Sequence, residues 1–165
     1  MAEGQLHVVF GAGQVGRALA AQLSDMGHAV RTVSLHQPEG VTSGVDCRTA
    51  DVTDTEAAID AAKGASVVYQ CLGAPYTQWQ TKFPPLQRNV IVAAERADAL
   101  LVTLENVYAY GDTGGRPLTE DLPLSANTSK GRARAAMTVE LLEAEQAGRV
   151  SISICLLYTS PSPRD

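Results

Sequence analysis

The sequence predicts an α/β protein built on one doubly wound parallel sheet. Short apolar runs alternate along the chain with segments of helical periodicity, which is the pattern of repeated β–α–β units. The apolar runs are nearly continuous, as expected for parallel strands that are covered on both faces. A glycine-rich stretch, FGAGQVG at 10–16, joins the first run to the first helical segment. Together these observations predict about six strands with helices on both sides of the sheet.

The predicted elements follow in a regular order. Apolar, β-rich runs predict strands at 6–10, 29–35, 44–52, 66–73, 99–106 and 150–154. Helical periodicity predicts helices at 14–27, 55–64, 86–98 and 130–149. Asp54 is a predicted N-cap, and Gly27 and Gly64 are predicted helix ends. The long segment between the fifth strand and the fourth helix is a candidate functional loop, because passive connections are usually shorter.

The composition is that of a globular chain with one domain. The chain has 165 residues, of which 45% are hydrophobic and 19% charged, and its formal net charge is −5. This acidic balance argues against a nucleic-acid or anionic membrane partner. No apolar run approaches the roughly 20 residues of a membrane span, and the first residues lack the basic region of a signal peptide. Three cysteines without a CxxC pair and three scattered histidines predict a cytoplasmic protein without a metal site.

The glycine-rich stretch has the spacing G-x-G-x-x-G at Gly11, Gly13 and Gly16. It follows a predicted strand and opens a predicted helix, which is the context of a dinucleotide-binding turn. Gly11 would allow the tight turn, Gly13 would admit a pyrophosphate, and Gly16 would let helix and strand pack closely. The N–H groups at Gln14 and Val15 would face the phosphates. The stretch therefore predicts a Rossmann fold, the strand order 3-2-1-4-5-6 and an NAD(P) cofactor, with a ligand-free tight turn as the alternative.

The end of the second strand bears on which dinucleotide is bound. An acidic residue there would hold the ribose 2′-hydroxyl of NAD, whereas a cation would suit the 2′-phosphate of NADP. The segment VSLHQPEG supplies Ser34 and His36 but no acid before Glu39. NADP is therefore slightly favoured, with Arg17 or Arg31 as the candidate cation. His36 could equally be an ordinary surface residue.

Further stretches carry a resemblance to a known family. The glycine-rich turn is followed by ADVTD at 50–54, CLGAP at 71–75 and YGDTGGRPLTEDLP at 110–123. Over residues 6–154 the chain resembles the extended or atypical short-chain dehydrogenases/reductases, of the NAD-dependent epimerase/dehydratase type. The resemblance implies adenine contacts at Asp51 and Val52, and backbone contacts to the cofactor at Leu72 and Gly73.

The catalytic residues of this family match the chain only in part. Family members usually carry a Ser or Thr after the fifth strand, and a proton-exchanging Tyr four residues before a Lys. Lys130 matches the Lys and implies a contact with the nicotinamide ribose, but Ala126 occupies the Tyr position and Asn106 the Ser position. Tyr108 or Tyr110 could supply the missing hydroxyl from the neighbouring loop. Lys130 could instead belong to a solvated basic edge at the helix start.

The sequence leaves more than one function open. The resemblance implies an NAD(P)-dependent oxidoreductase, epimerase or dehydratase that acts on a small hydroxylated or carbonyl substrate. The missing Tyr and Ser favour the alternative, a non-catalytic NAD(P)-binding redox sensor or regulatory protein. A homodimer is compatible with either. A protein-interaction domain without a cofactor would require the glycine-rich turn to bind nothing.

The last residues differ from the rest of the chain. The segment CLLYTSPSPRD at 155–165 interrupts the sixth predicted strand, and it is the codon-for-codon translation of a string resembling a transposon-based sequencing adapter. We therefore predict an incomplete NAD(P)-binding domain at 1–154 that ends before a substrate lobe, and a non-native tail at 155–165. We also expect such a fragment to have little turnover. A natural Ser-Pro-rich tail is the alternative.

Overall fold

The computed structural model describes residues 4–37, 40 and 43–157, and it contains the predicted doubly wound sheet. Its strands are β1 (Leu6–Phe10), β2 (Ala29–Ser34), β3 (Asp46–Thr49), β4 (Val67–Gln70), β5 (Leu100–Asn106) and β6 (Ile152–Leu157). Neighbouring strands pair in parallel, in the order β3-β2-β1-β4-β5-β6. The predicted Rossmann-type sheet and its strand order 3-2-1-4-5-6 are therefore confirmed.

Helices cover the sheet between the strands. They are α1 (Gln14–Asp25), α2 (Thr55–Ala62), α3 (Trp79–Ala97) and α4 (Ser129–Gln146). Two short 3-10 turns, Tyr76–Gln78 and Val107–Tyr110, follow β4 and β5. The carboxyl ends of parallel strands share one edge of the sheet, so the glycine-rich turn and both 3-10 turns lie along that edge.

The side chains of β1 alternate between two hydrophobic cores. Val8 and Phe10 belong to the larger core, which α2, α3 and α4 cover and which also contains Val33, Val68, Val90, Leu101 and Leu141. Val9 belongs to a smaller core under α1, with Ala20, Leu23 and Val30. Removal of this apolar area from water, at roughly 25 cal/mol per Å², is the main force that holds the helices on the sheet. The continuous apolar run in the sequence is explained by this burial on both faces.

The start of α3 differs from the prediction. The sequence predicts a helix at 86–98 after a proline-bearing loop, but α3 begins at Trp79 and contains Pro84 and Pro85. Proline has no backbone N–H to donate, so a helix here needs support from tertiary contacts. Trp79 donates from Nε1 to a carbonyl of the preceding loop at 3.2 Å, and Phe83 is 3% exposed. These contacts hold the first turns of the helix in spite of the prolines.

Side-chain caps begin two of the helices. Asp54, the predicted N-cap of α2, accepts hydrogen bonds from the backbone N–H groups of Glu56 and Ala57 at 2.9 and 3.3 Å. The cap of α4 was missed by the sequence analysis: the Thr128 hydroxyl accepts from the Gly131 N–H at 3.1 Å. A cap of this type stabilises a helix by about 1 kcal/mol.

Strand β6 crosses the domain boundary predicted at residue 154. It runs from Ile152 to Leu157, and its last three residues pair in register with Leu104–Asn106 of β5. Residues 158–165 of the predicted tail lie outside the described residues. The domain boundary and the non-native origin of 155–165 therefore stay predictions.

A buried histidine lies in β1 on the same face as Val9. His7 is 6% exposed, its Nδ1 lies 3.0 Å from the Tyr69 hydroxyl, and its ring centroid lies 4.4 Å from that of His28. Burial, and then the charge of His28, lower the pKa of His7 below its ordinary value of 6.5. The unfolded chain therefore binds this proton more readily than the folded chain. The contribution of neutral His7 to stability is present above pH 6.5 and is lost as the pH falls below it.

We expect the melting temperature of the wild-type chain to fall between about pH 6.5 and about pH 5, and to fall less in His7→Leu, which has no imidazole to protonate there. Thermal unfolding followed by circular dichroism measures both profiles. His36→Gln removes an exposed histidine and is the matched control, which should keep the wild-type pH dependence. A His7→Leu profile parallel to that of the wild type would contradict this assignment.

Candidate cofactor-binding site

The three glycines of the turn between β1 and α1 have different surroundings. Gly11 has a φ of +103°, and a Cβ there would clash with the Cys71 carbonyl. A Cβ on Gly16 would clash with the carbonyl oxygen of Gly11, so α1 approaches the turn this closely only with a glycine. A Cβ on Gly13 would meet no atom of the described residues within 4 Å. Gly11 and Gly16 therefore permit close packing, whereas Gly13 faces open space.

The N-terminus of α1 is open on the side of Gly13. Gly13 is the N-cap of this helix and makes no side-chain capping hydrogen bond. The first N–H groups of a helix have no partner within the helix, and the helix dipole adds a partial positive charge there. A hydrogen bond of 2.8 Å from the Gly11 N–H to the Val33 carbonyl holds the turn against β2. This arrangement fits a phosphate group.

A cavity of about 570 Å³ lies over this turn, and we call it the cofactor cavity. Residues from the ends of β1, β2 and β4 form its wall. Eight of the residues predicted to bind the cofactor line it: Gly11, Gly13, Gln14, Val15, Ser34, His36, Leu72 and Gly73. The structure therefore brings together three separate stretches of the sequence, in the crevice where Rossmann folds bind dinucleotides.

Four other residues predicted to bind the cofactor lie outside the lining of this cavity, and one of them, Lys130, lines a separate cavity described below. Gly16 is buried in α1 behind the turn, and Val52 is 4% exposed in the larger core. Asp51 is exposed, and its Oδ1 accepts from the Thr53 hydroxyl at 2.7 Å and from the Thr53 N–H at 2.9 Å. These hydrogen bonds lower the pKa of the Asp51 carboxyl. The adenine contacts of Asp51 and Val52 stay predictions.

The end of β2 brings polar groups to the cofactor cavity. The Ser34 hydroxyl donates to the His36 carbonyl at 2.6 Å, which holds this loop in the cavity wall. Arg31, a candidate partner for a 2′-phosphate, donates instead to Asp46 at 2.8 Å and to a carbonyl of α2 at 2.9 Å. Glu39, the next acid in the sequence, lies outside the described residues. Within the described part of this loop no carboxylate faces the cavity.

Cys71 forms part of the wall of the cofactor cavity at the end of β4. Burial, and then the neighbouring Cys155, raise the pKa of the Cys71 thiol to about 11. The thiol is therefore protonated at neutral pH, and it contributes shape to the cavity without acting as a nucleophile.

A second cavity, of about 510 Å³, contains Lys130, and we call it the Lys130 cavity. Gly73 lines the cofactor cavity and Tyr76 lines the Lys130 cavity, so the loop after β4 borders both. The Lys130 Nζ lies 3.0 Å from the centroid of the Tyr76 ring, which is a cation–π contact. The rest of the lining is Val107, Tyr108, Gly111, Asp112, Leu118, Asn127, Thr128 and Ser129. The contact of Lys130 with a nicotinamide ribose stays a prediction.

The other two predicted catalytic residues lie apart from Lys130. Asn106 and Tyr110 line a third cavity, of about 390 Å³, together with residues of α4 and β6. The Asn106 Oδ1 accepts from the Tyr108 N–H at 3.2 Å and holds the start of the 3-10 turn. Tyr108 lies in the Lys130 cavity, where its hydroxyl oxygen is 3.5 Å from that of Tyr76. The structure therefore brings Tyr108, and not Tyr110, to the side of Lys130.

Helix α4 packs directly on the 3-10 turn after β5. The Ala126 N–H donates to the Ala109 carbonyl at 3.2 Å, which ties the segment before α4 to this turn. A Cβ on Gly131 would clash with the Tyr108 carbonyl oxygen and with the side chain of Ala126. The glycine therefore permits the approach that brings Lys130 and Tyr108 into one cavity.

A buried ion pair beside Trp79 was missed by the sequence analysis. The Arg134 Nη1 donates to the Glu105 Oε2 at 3.3 Å, and the two side chains are 8% and 2% exposed. The guanidinium carbon lies 4.7 Å from the centroid of the Trp79 ring and 4.1 Å from that of Phe83. Burial raises the pKa of Glu105, and the charge of Arg134 opposes this rise. The sequence contained one signal for the position of Arg134. It lies four residues after Lys130, and this spacing puts both side chains on the same side of a helix.

A family described as NAD(P)H-binding matches residues 11–146. The chain belongs to this NAD(P)H-binding family. A short-chain dehydrogenase/reductase superfamily protein from Agrobacterium tumefaciens, solved with bound NAD, is 28% identical to it, with a TM-score of 0.75 over 91% of this chain and 48% of that one. The predicted resemblance to short-chain dehydrogenases/reductases is thereby confirmed.

Two further matches are a solved structure and a sequence relative. A solved UDP-galactose 4-epimerase is 23% identical, with a TM-score of 0.77 over 91% of this chain and 55% of that one. An uncharacterized protein of Mycobacterium tuberculosis is 36% identical over 67 residues, which are 41% of this chain and 8% of that protein. The NAD(P)H-binding chain thus spans about half the length of these two solved structures.

Across residues 4–37, 40 and 43–157, no group of three His, Cys, Asp or Glu side chains is placed to hold a metal ion. In the same ranges, no helix has the length and apolar character needed to cross a bilayer.

Substitution of Gly13 and Gly16 should separate ligand binding from packing. We expect Gly13→Val to keep the melting temperature within about 5 °C, because a Cβ there meets no atom of the described chain within 4 Å, and to weaken NADPH binding by about tenfold or more. Gly16→Ala should prevent stable folding, because its methyl group would overlap the Gly11 carbonyl. Circular dichroism and a fluorescence titration with NADPH measure the two effects. Equal loss of folding in both variants would refute this division of roles.

Proposed function

We propose that this chain binds NAD(P) in the cofactor cavity and serves as the dinucleotide-binding part of an oxidoreductase, epimerase or dehydratase. The proposal depends on the open position at Gly13, at the uncapped N-terminus of α1, in the wall of a cavity of about 570 Å³. When bound, the cofactor supplies hydride transfer. The family match over residues 11–146 supports the same assignment.

Different groups of the cavity would hold different parts of the cofactor. The N–H groups of Gln14 and Val15 would donate to the pyrophosphate at the start of α1. The Ser34 hydroxyl and the His36 ring, at the end of β2, would contact the adenine ribose. The backbone at 72–73 would follow the dinucleotide towards the Lys130 cavity.

We infer a slight preference for NADP over NAD. The described end of β2 has no carboxylate that would bind a ribose 2′-hydroxyl and repel a 2′-phosphate. The His36 ring can donate a hydrogen bond to a phosphate, and the Ser34 hydroxyl can do so once it releases the His36 carbonyl. Asp51 and Val52 complete the proposed set as contacts of the adenine.

The proposed substrate of the whole protein is a small hydroxylated or carbonyl compound. This is supported by the solved matches, which include a short-chain dehydrogenase/reductase superfamily protein with bound NAD and a UDP-galactose 4-epimerase. The chain spans about half the length of each, so the choice of substrate and a homodimer are properties proposed for the whole protein. The cytoplasm stays the predicted location.

A non-catalytic NAD(P)-binding redox sensor or regulatory protein is the second candidate. Ala126 and Asn106 stand where the short-chain dehydrogenases/reductases usually carry Tyr and Ser. The Asn106 side chain is engaged with the backbone of Tyr108, and Ala126 has no hydroxyl. A sensor would bind the dinucleotide in the same cofactor cavity as an enzyme. It would differ from an enzyme because it would not convert a substrate.

Titration of the purified chain with NADPH and NADH tests the cofactor. We expect both to bind, NADPH more tightly. We also expect His36→Asp to weaken NADPH binding relative to NADH by about tenfold, because a carboxylate repels the 2′-phosphate. Nucleotide fluorescence measures the dissociation constants. His36→Gln adds no charge and should leave the NADPH-to-NADH ratio within about twofold. Unchanged fluorescence with both nucleotides would overturn the proposal.

Turnover by the full-length protein separates the two candidate functions. An NADPH absorbance assay with aldehydes and ketones, and chromatography of sugar nucleotides for epimerised or dehydrated products, should show turnover of at least one class if the protein is an enzyme. Tight binding of NADPH or NADH with no turnover of any class would instead support the sensor.

A further inference from the structure

Two tyrosine hydroxyls meet in the Lys130 cavity. Tyr76 follows β4 and Tyr108 follows β5, and the Tyr76 hydroxyl donates towards the Tyr108 hydroxyl at 3.5 Å. Lys130, at the start of α4, holds its Nζ 3.0 Å from the centroid of the Tyr76 ring. All three residues line the same cavity of about 510 Å³. Two phenols and an ammonium group therefore converge from three different elements at the carboxyl edge of the sheet.

Packed side chains hold both phenol rings in place. The centroid of the Trp79 ring lies 5.0 Å from that of Tyr76 and 5.8 Å from that of Tyr108. The guanidinium carbon of Arg134 lies 4.7 Å from the centroid of the Trp79 ring, and Arg134 is paired with buried Glu105. A proton-transfer group must be held within hydrogen-bond reach of its substrate, and this packing supplies such a fixed position.

The backbone of Tyr108 is fixed as well. Its N–H donates to the Asn106 Oδ1 at 3.2 Å, and its carbonyl lies where a Cβ on Gly131 would clash. Asn106 occupies the position at which the short-chain dehydrogenases/reductases usually carry a Ser, and here its side chain orients Tyr108. Asn106 is therefore a positioning residue in this chain.

Proton exchange with a substrate oxygen needs a group that can both donate and accept, and a phenol can do both. Ala126, at the position of the usual tyrosine, has no such group. We propose that the Tyr108 hydroxyl, supported by Tyr76 and Lys130, exchanges the proton with the substrate oxygen. The inference rests on the proposed function, because it requires a bound NAD(P) beside the cavity.

In the oxidation of a substrate alcohol, the substrate O–H bond breaks and its proton passes to the phenolate oxygen of Tyr108. The carbon–oxygen double bond forms as the carbon loses a hydride, which the oxidised cofactor would accept. Tyr76, which is 46% exposed, then passes a proton between Tyr108 and solvent. The Lys130 ammonium stabilises negative charge on the pair. Reduction of a carbonyl runs through the same groups in reverse.

Acetylation of the purified chain with N-acetylimidazole tests where the phenols lie, without requiring turnover. With NADPH at about ten times its dissociation constant, the acetylation of Tyr108 should slow by about tenfold. Tyr110 belongs to the same 3-10 turn but lines a different cavity, so it is the internal control and its rate should not change. Peptide mass spectrometry with fragmentation locates each acetyl group. Equal protection of Tyr108 and Tyr110, or protection of neither while NADPH is bound, would overturn the inference.

Turnover by the full-length protein tests the role of the hydroxyl itself. Tyr108→Phe should lower kcat by about 100-fold or more and leave the NADPH dissociation constant within about twofold, because it removes only the proton-exchanging oxygen. Tyr76→Phe should lower kcat by a smaller factor. An unchanged kcat in Tyr108→Phe would overturn the inference, as would a wild-type protein that binds NADPH and neither reduces, epimerises nor dehydrates any of these substrates. A wild-type protein that binds neither NADPH nor NADH would refute the proposed function itself.

Discussion

The close contact between α1 and the turn after β1 is the constraint on which the rest of the structure depends. Gly11 lies against the Cys71 carbonyl, and Gly16 lies against the Gly11 carbonyl, so side chains at these two positions would push α1 and β4 away from β1. Because the helix starts so close to the sheet, its N–H groups open directly over the carboxyl edge of the central strands. Gly13 has no part in this packing and is left facing the cofactor cavity. One turn therefore joins the core of the fold to its anion-binding position.

The Lys130 cavity depends on a second close contact of the same kind. Gly131 lets α4 approach the 3-10 turn, and the helix then delivers Lys130 to the cavity and Arg134 to the interior. Burial of an arginine and a carboxylate costs desolvation free energy, which their mutual attraction and the aromatic faces of Trp79 and Phe83 offset. The ion pair is thus part of the wall that fixes the aromatic residues of the cavity.

Membership of the NAD(P)H-binding family assigns the cofactor class, but the fold alone does not assign the chemistry. The two candidate functions differ in what the Lys130 cavity does beside a bound dinucleotide. In an enzyme, the phenols and the ammonium group of this cavity would exchange a proton with the substrate. In a sensor, the cavity would only enclose the cofactor, and the protein would respond to the redox state of that cofactor. The arrangement of Tyr76, Tyr108 and Lys130 favours the first function, whereas Ala126 and Asn106 favour the second.

The sequence by itself determined the Rossmann-type sheet, its strand order, the glycine-rich turn and the cap at Asp54. The signals for them are local, because periodicity, glycine spacing and capping depend on residues within a few positions of one another. The strand order is a long-range feature, and it was predicted because the glycine spacing identifies a fold with a known order. Only the tertiary structure decided that α3 begins at Trp79 and that Tyr108, and not Tyr110, joins Lys130. It also decided that a buried ion pair supports the Trp79 ring. These outcomes depend on contacts between residues that are distant in the chain, and no pattern along the sequence records which of them will meet.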